Sequence, residues 1–139
     1  MEYFIGFALA LASIGSCLVF GIARERSFYA TVMIVVASYY VLFAVIGGSS
    51  KVIWVELVLA AGFVIPAVLG FRSSLWIVAA ALVGHALLDC FHDHIVVSSA
   101  MPSWWPGFCL AYDATAGLML AGLLLTRRPC QVPARATET

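Results

Sequence analysis

Charge is what this chain has least of: seven basic and seven acidic residues in 139, a tenth of the sequence with no net sign. A nucleic-acid partner needs a basic face. Here the few basic residues are scattered over the ends of apolar runs, so no nucleic acid is expected. Paired cysteines are also missing. Cys17, Cys90, Cys109 and Cys130 have no CxxC spacing, which excludes the common zinc and redox frames. They read as small apolar fillers, with a Cys90–Cys109 bridge left open. There is no G-x-S-x-G elbow, no glycine-rich phosphate loop and no internal repeat. Nucleophilic serine chemistry and phosphate cradling are therefore not expected. The leader "MEYF" has no Lys or Arg. A secretory signal needs a basic start, so the first apolar stretch reads as a retained helix.

Apolar residues fill the space that charge leaves. They make up 64% of the chain, against about 45–50% in ordinary soluble domains, and the mean hydropathy is +1.08. So short a chain cannot hide that much apolar surface from water, and lipid is the expected solvent. Five stretches stand out, at 3–23, 28–48, 52–70, 75–97 and 108–126. Each is close to the ~20 residues a helix needs to cross ~30 Å of hydrocarbon. The expected architecture is an all-α polytopic helix bundle with five transmembrane helices. Residues 1–126 form one transmembrane domain and 127–139 a short polar tail.

Basic residues favour the cytoplasmic side. With the N-terminus outside, Arg24, Arg26, Arg72, Arg127, Arg128 and Arg135 fall inside and only Lys51 outside. The expectation is N-out and C-in, a multi-pass protein of the plasma (bacterial inner) membrane with the bilayer as its partner. Trp54, Trp104 and Trp105 then sit at the outer interface, where tryptophan is enriched. The links are tight except for "SSAMPSWWPG" at 98–107, either an interfacial loop held by tryptophans or a lid over an outward cavity. Pro106 suits the first turn of the last helix.

The scarce titratable groups are concentrated. "HALLDCFHDH" at 85–94 contains all three histidines of the chain. Ionisable residues within membrane helices are costly, face the bundle interior and mark functional sites by default. At 100° per residue, His85, Asp89 and His92 lie at about 0°, 40° and −20°, on one helix face. Asp93 lies on the flank and His94 nearly opposite, at the interface. Glu56, Asp113, Tyr39 and Tyr40 join them at a similar level, between about 6 and 18 Å below the outer ends of their stretches. Ala60, Phe63 and Ala67 follow Glu56, while Cys109, Ala116 and Gly117 flank Asp113. Small faces let membrane helices approach closely, so helices 2 to 5 are expected to share one polar site in the outer leaflet.

Four readings of that site stay open. It can be a structural knot of His–carboxylate bonds, each worth about 0.6–2 kcal/mol. It can hold one divalent ion, with Asp89, His92, Asp113, Glu56 and His85 as candidate ligands and zinc, iron or manganese as the ions such N/O donors suit. It can run metal-free acid–base chemistry on a lipid or isoprenoid. In that case Asp89 and Asp113 form the pair, His85 or His92 the proton partner, and Tyr40 or Tyr112 a hydrogen-bond donor. Or it can relay protons or cations for a small transporter, for which a homodimer would compensate the few helices. The preferred expectation is a membrane-embedded, metal-assisted enzyme on a lipid or apolar small molecule. His85, Asp89, His92, Asp113 and Glu56 form its catalytic set; Tyr39, Tyr40, Tyr112, Trp104 and Trp105 line its binding site. The alternative is a non-enzymatic membrane protein.

The run "GHALLDCFHDH" through "MPSWWPGFCLAYDATAG" resembles the signature segment of a family of small bacterial integral-membrane proteins of unknown function. That segment has a His-x3-Asp-x2-His helix, a Pro/Trp-rich turn and Phe-Cys-x3-Asp. The resemblance covers roughly residues 80–118 and implies that His85, Asp89, His92, Trp105, Pro106 and Asp113 belong to one motif. More distantly, the His-x3-acid step is similar to steps in membrane-bound sterol isomerases and ceramidases, with no role carried over.

Overall fold

The computed structural model describes residues 1–21, 25–96 and 98–126. The end of the first expected stretch at Ile22 and Ala23, Arg24, Val97, and the tail with Arg127, Arg128, Cys130 and Arg135 lie outside the described residues. Six helices follow in order: α1 (Glu2–Val19), α2 (Arg26–Gly47), α3 (Ser50–Arg72), α4 (Leu75–Asp89), α5 (His92–Ile95) and α6 (Trp105–Thr126). The described residues contain no strand. α1, α2, α3 and α6 are each long and apolar enough to cross a membrane, and α4 is a shorter apolar helix. Large apolar side chains such as Phe4, Val58 and Leu118 face outward, as in a bundle whose solvent is hydrocarbon.

The fourth stretch differs from the single helix expected over 75–97. α4 ends at Asp89, the chain turns through Cys90 and Phe91, and a short helix resumes at His92. The turn is tight: the Phe91 N–H donates to Leu88 O at 2.9 Å and the His94 N–H to Phe91 O at 3.0 Å. Neither proline nor glycine forces this break. It sends Phe91 outward, 62% exposed, and turns His92 inward, fully buried. There His92 meets Glu56 through one hydrogen bond and the Tyr40 ring through stacking.

α4 packs most extensively on α6, α1 on α6, and α2 on α3, with α3 against α4. Small residues permit the closest of these approaches, as membrane helix packing requires. Gly117 of α6 lies over Ala79, Leu82 and Val83 of α4, and a Cβ there would stand 3.2 Å from the Ala79 carbonyl oxygen. Gly6 of α1 lies against the backbone of Phe108. The apolar core joins Ile14, Met33, Ala67, Val78, Leu82, Ala116 and Leu120. The tight first link does not make α1 and α2 packing partners: they share no substantial contact, and α6 occupies the place beside α1.

Helix ends are closed by specific groups. Gly48 ends α2 in the left-handed conformation, φ 72°, which glycine adopts without a Cβ clash, and its N–H reaches Ala44 O and Val45 O. At the C-terminus of α3, Arg26 donates to Phe71 O at 2.9 Å and Ser73 O at 3.1 Å through Nη2, and again to Phe71 O through Nε at 3.1 Å. A guanidinium there satisfies carbonyls that the helix leaves unpaired and complements its dipole. Arg26→Ala is expected to lower stability by about 1 kcal/mol. Thermal unfolding in detergent reads this, with Arg72→Ala, which makes no such contact among the described residues, near parent.

Candidate functional site

Among the described residues five Asp, Glu and His side chains are buried, all of them among the expected site residues: Glu56, His85, Asp89, His92 and Asp113, each at most 5% exposed. They come from α3, α4, α5 and α6 and form two groups. In the first, His85 Nδ1 lies 2.8 Å from Asp113 Oδ2 and 3.6 Å from Asp89 Oδ2. The α4 spacing of four residues stacks His85 and Asp89 on one face, and the small α6 face brings Asp113 alongside. In the second group, His92 Nε2 pairs with Glu56 Oε1 at 2.9 Å. The carboxylate can only accept, so the imidazole N–H donates.

Tyr40 of α2 joins the two. Its hydroxyl donates to Asp89 Oδ1 at 2.6 Å, and its ring stacks on His92 with centroids 4.1 Å apart. Phe63 meets the His85 ring edge-on at 4.8 Å. Each imidazole thereby has a carboxylate on one ring nitrogen and an aromatic ring against it. Tyr40 alone of the aromatic residues expected to line the site touches the cluster. Tyr39 is 39% exposed and lies against Trp105. Tyr112 pairs with Ser13 of α1 at 3.1 Å, a contact the sequence did not signal. Trp104 is half-exposed and packs on Trp105 and Phe108. Pro106 stands in the first turn of α6. Asp93 and His94 are exposed.

All five of these side chains are buried in the bundle. Three of the cluster's atoms are nevertheless buried without a hydrogen bond among the described residues: Asp89 Oδ2, Asp113 Oδ1 and His92 Nδ1. Buried polar atoms are almost always partnered, and an unmet carboxylate oxygen in so apolar a bundle costs several kcal/mol. Two of the three belong to the first group. One ligand atom from each of His85, Asp89 and Asp113 lies within 4.8 Å of the others, close enough to share one metal ion. Ligand atoms at ~2 Å from an ion stand roughly 3–4 Å apart, so modest side-chain rotations would close the shell. The mixed nitrogen and oxygen donors suit zinc, iron or manganese. Two carboxylates facing one imidazole also leave negative charge that a divalent cation balances. The residues fit an ion. Cys17, Cys90 and Cys109 are free thiols, so the Cys90–Cys109 pair carries no bridge.

Set against family models, curated proteins and solved structures, the chain finds no match. The functional reading therefore rests on the geometry of these side chains.

Proposed function

We propose that the chain is a membrane-embedded enzyme acting on a lipid or other apolar small molecule, with His85, Asp89 and Asp113 holding one divalent metal ion. The observation that carries this reading is the pair of buried carboxylate oxygens, Asp89 Oδ2 and Asp113 Oδ1, left without hydrogen bonds beside His85 Nδ1. A bound zinc, iron or manganese ion supplies Lewis acidity there. Tyr40 holds Asp89 in place through its hydroxyl, and Phe63 fixes the plane of His85. Glu56 and His92 form a separate buried pair, with the Tyr40 ring stacked on His92.

The proposal includes five crossings with the N-terminus outside, in a bacterial inner membrane. α4 alone rises only about 22 Å, and the fourth crossing is completed through the turn and α5. The turn exposes Cys90 and Phe91, but the Phe91 and His94 N–H groups stay bonded to Leu88 O and Phe91 O, as a bilayer requires of exposed backbone. Arg26 and Arg72 stand together at the inner end in this orientation and Lys51 at the outer one. The grouping of His85, Asp89, His92, Trp105, Pro106 and Asp113 into one motif, shared with the small bacterial membrane family, belongs to the proposal as well.

The test is metal content after purification without an affinity-tag metal. The parent should carry close to one equivalent of zinc, iron or manganese. His85→Ala and Asp113→Asn should carry none, and His92→Ala should keep it. A parent that takes up none of these ions on incubation overturns the metal reading. The 2.8 Å His85–Asp113 hydrogen bond would then favour the second reading, a metal-free acid–base dyad.

A further inference from the structure

A wide cavity lies behind the polar cluster and opens sideways. α1 leans on α6 and α2 on α3, and the space between α1 and α2 is a cleft of about 860 Å³ floored by α6. Its walls are Ile5 and Leu9 on one side and Val32 and Val35 on the other, over Phe108 and Cys109. Both bounding helices are long and apolar enough to cross a membrane, so the mouth faces hydrocarbon.

Length, polarity and position narrow the occupant. Along α2 the cleft runs from Phe28 to Tyr39, about 16 Å at ~1.5 Å per residue. One leaflet of a ~30 Å hydrocarbon core is about 15 Å deep. The Tyr39 end is closed by Trp105, whose ring lies 5.1 Å from that of Tyr39. The Trp105 indole Nε1 is buried without an acceptor. Tryptophan belongs at the depth of lipid headgroups, where the lipid's own oxygens lie. The floor is also the back wall of the cluster: Cys109 precedes Asp113 by one turn, and Val36, which lines the cleft, precedes Tyr40 by one turn.

We propose that the cleft seats one hydrocarbon chain of a bilayer phospholipid, taken in sideways between α1 and α2, with an oxygen of its ester or headgroup region accepting the Trp105 indole N–H. The inference rests on the proposed enzyme reading for its purpose, since it names where the chain of an apolar substrate lies beside the site.

The experiment uses the full chain in phosphatidylcholine vesicles containing a phosphatidylcholine with a diazirine midway along one chain. Illumination is followed by mapping of the labelled residues. Labelling of Leu9 and Val35 should exceed that of Val58, on the outward face of α3, at least fivefold. Val35→Trp and Leu9→Trp, which fill the cleft from half-exposed positions, should cut cleft labelling at least fivefold. Val58→Trp should leave it unchanged, and Trp105→Phe, which keeps the ring and removes the donor, should reduce it about threefold. Equal labelling of cleft and outward faces, or labelling indifferent to filling the cleft, overturns the proposal in favour of ordinary surrounding lipid. The readout needs no metal. A metal-free parent that labels in the cleft defeats the ion alone, and an ion-bearing parent with uniform labelling defeats the cleft alone.

Discussion

Glu56→Ala is expected to destabilise the protein by about 3–5 kcal/mol, the range for removing one member of a buried charged pair. The size follows from what is left behind. Among the described residues Glu56 Oε1 is the single hydrogen-bond partner of the His92 ring, on Nε2, and His92 Nδ1 has none. Removing the carboxylate strands both ring nitrogens of a fully buried imidazole, which loses its compensation for desolvation. His92→Ala strands the Glu56 carboxylate in the same way. The double variant removes both groups and should cost markedly less than the sum of the singles, a coupling of at least about 2 kcal/mol. Unfolding in detergent or bicelles measures all three. Polar contacts between membrane helices average only about 0.6 kcal/mol. Single variants near that value, with no coupling, would reduce the pair to ordinary helix glue.

The same pair explains why the fold was only partly legible. The apolar runs locate α1, α2, α3 and α6 to within a few residues, because lipid allows few alternatives to an uninterrupted helix. The turn at Cys90–Phe91 leaves no such mark. On a helical wheel His85, Asp89 and His92 share a face whether or not the helix continues, and no residue there is a helix breaker. The turn is fixed by what His92 meets in space: Glu56 on α3 and the Tyr40 ring on α2. The polar members of the site were legible because ionisable groups in an apolar chain have few places to go. Their division into two groups was not, since it depends on helix rotations that sequence spacing leaves free. Tyr39 and Tyr40 show the difficulty. They are neighbours about 100° apart, and only the packed bundle decides that Tyr40 faces Asp89 while Tyr39 faces Trp105. Helix adjacency was also hidden. A short link suggests that α1 and α2 pack together, yet α6 takes the place beside α1 and leaves the cleft.

That displacement of α1 gives the last prediction, in which one kind of substitution changes sign within one helix. Gly15→Ala should stabilise the protein by about 0.5–1 kcal/mol, the ordinary gain of alanine over glycine in a helix interior, because a Cβ there meets nothing within 4 Å. Gly6→Ala should destabilise it by about 1–3 kcal/mol. A Cβ at Gly6 would overlap the carbonyl oxygen of Phe108 and sit 3.2 Å from Ala111 Cβ. The obstacle is helix backbone, which cannot swing aside as a side chain can. α1 must then lift away from α6, loosening the buried contacts of Ala10 and Ile14 and stretching the Ser13–Tyr112 hydrogen bond. Lipid supplies no hydrophobic force to restore the contact, since helices associate in bilayers by close packing. α1 is also one wall of the cleft. Gly6→Ala should therefore lower cleft labelling as well as the unfolding midpoint, while Gly15→Ala raises the midpoint and leaves the labelling unchanged. Equal effects of the two substitutions would mean that α1 is not held on α6 at Gly6.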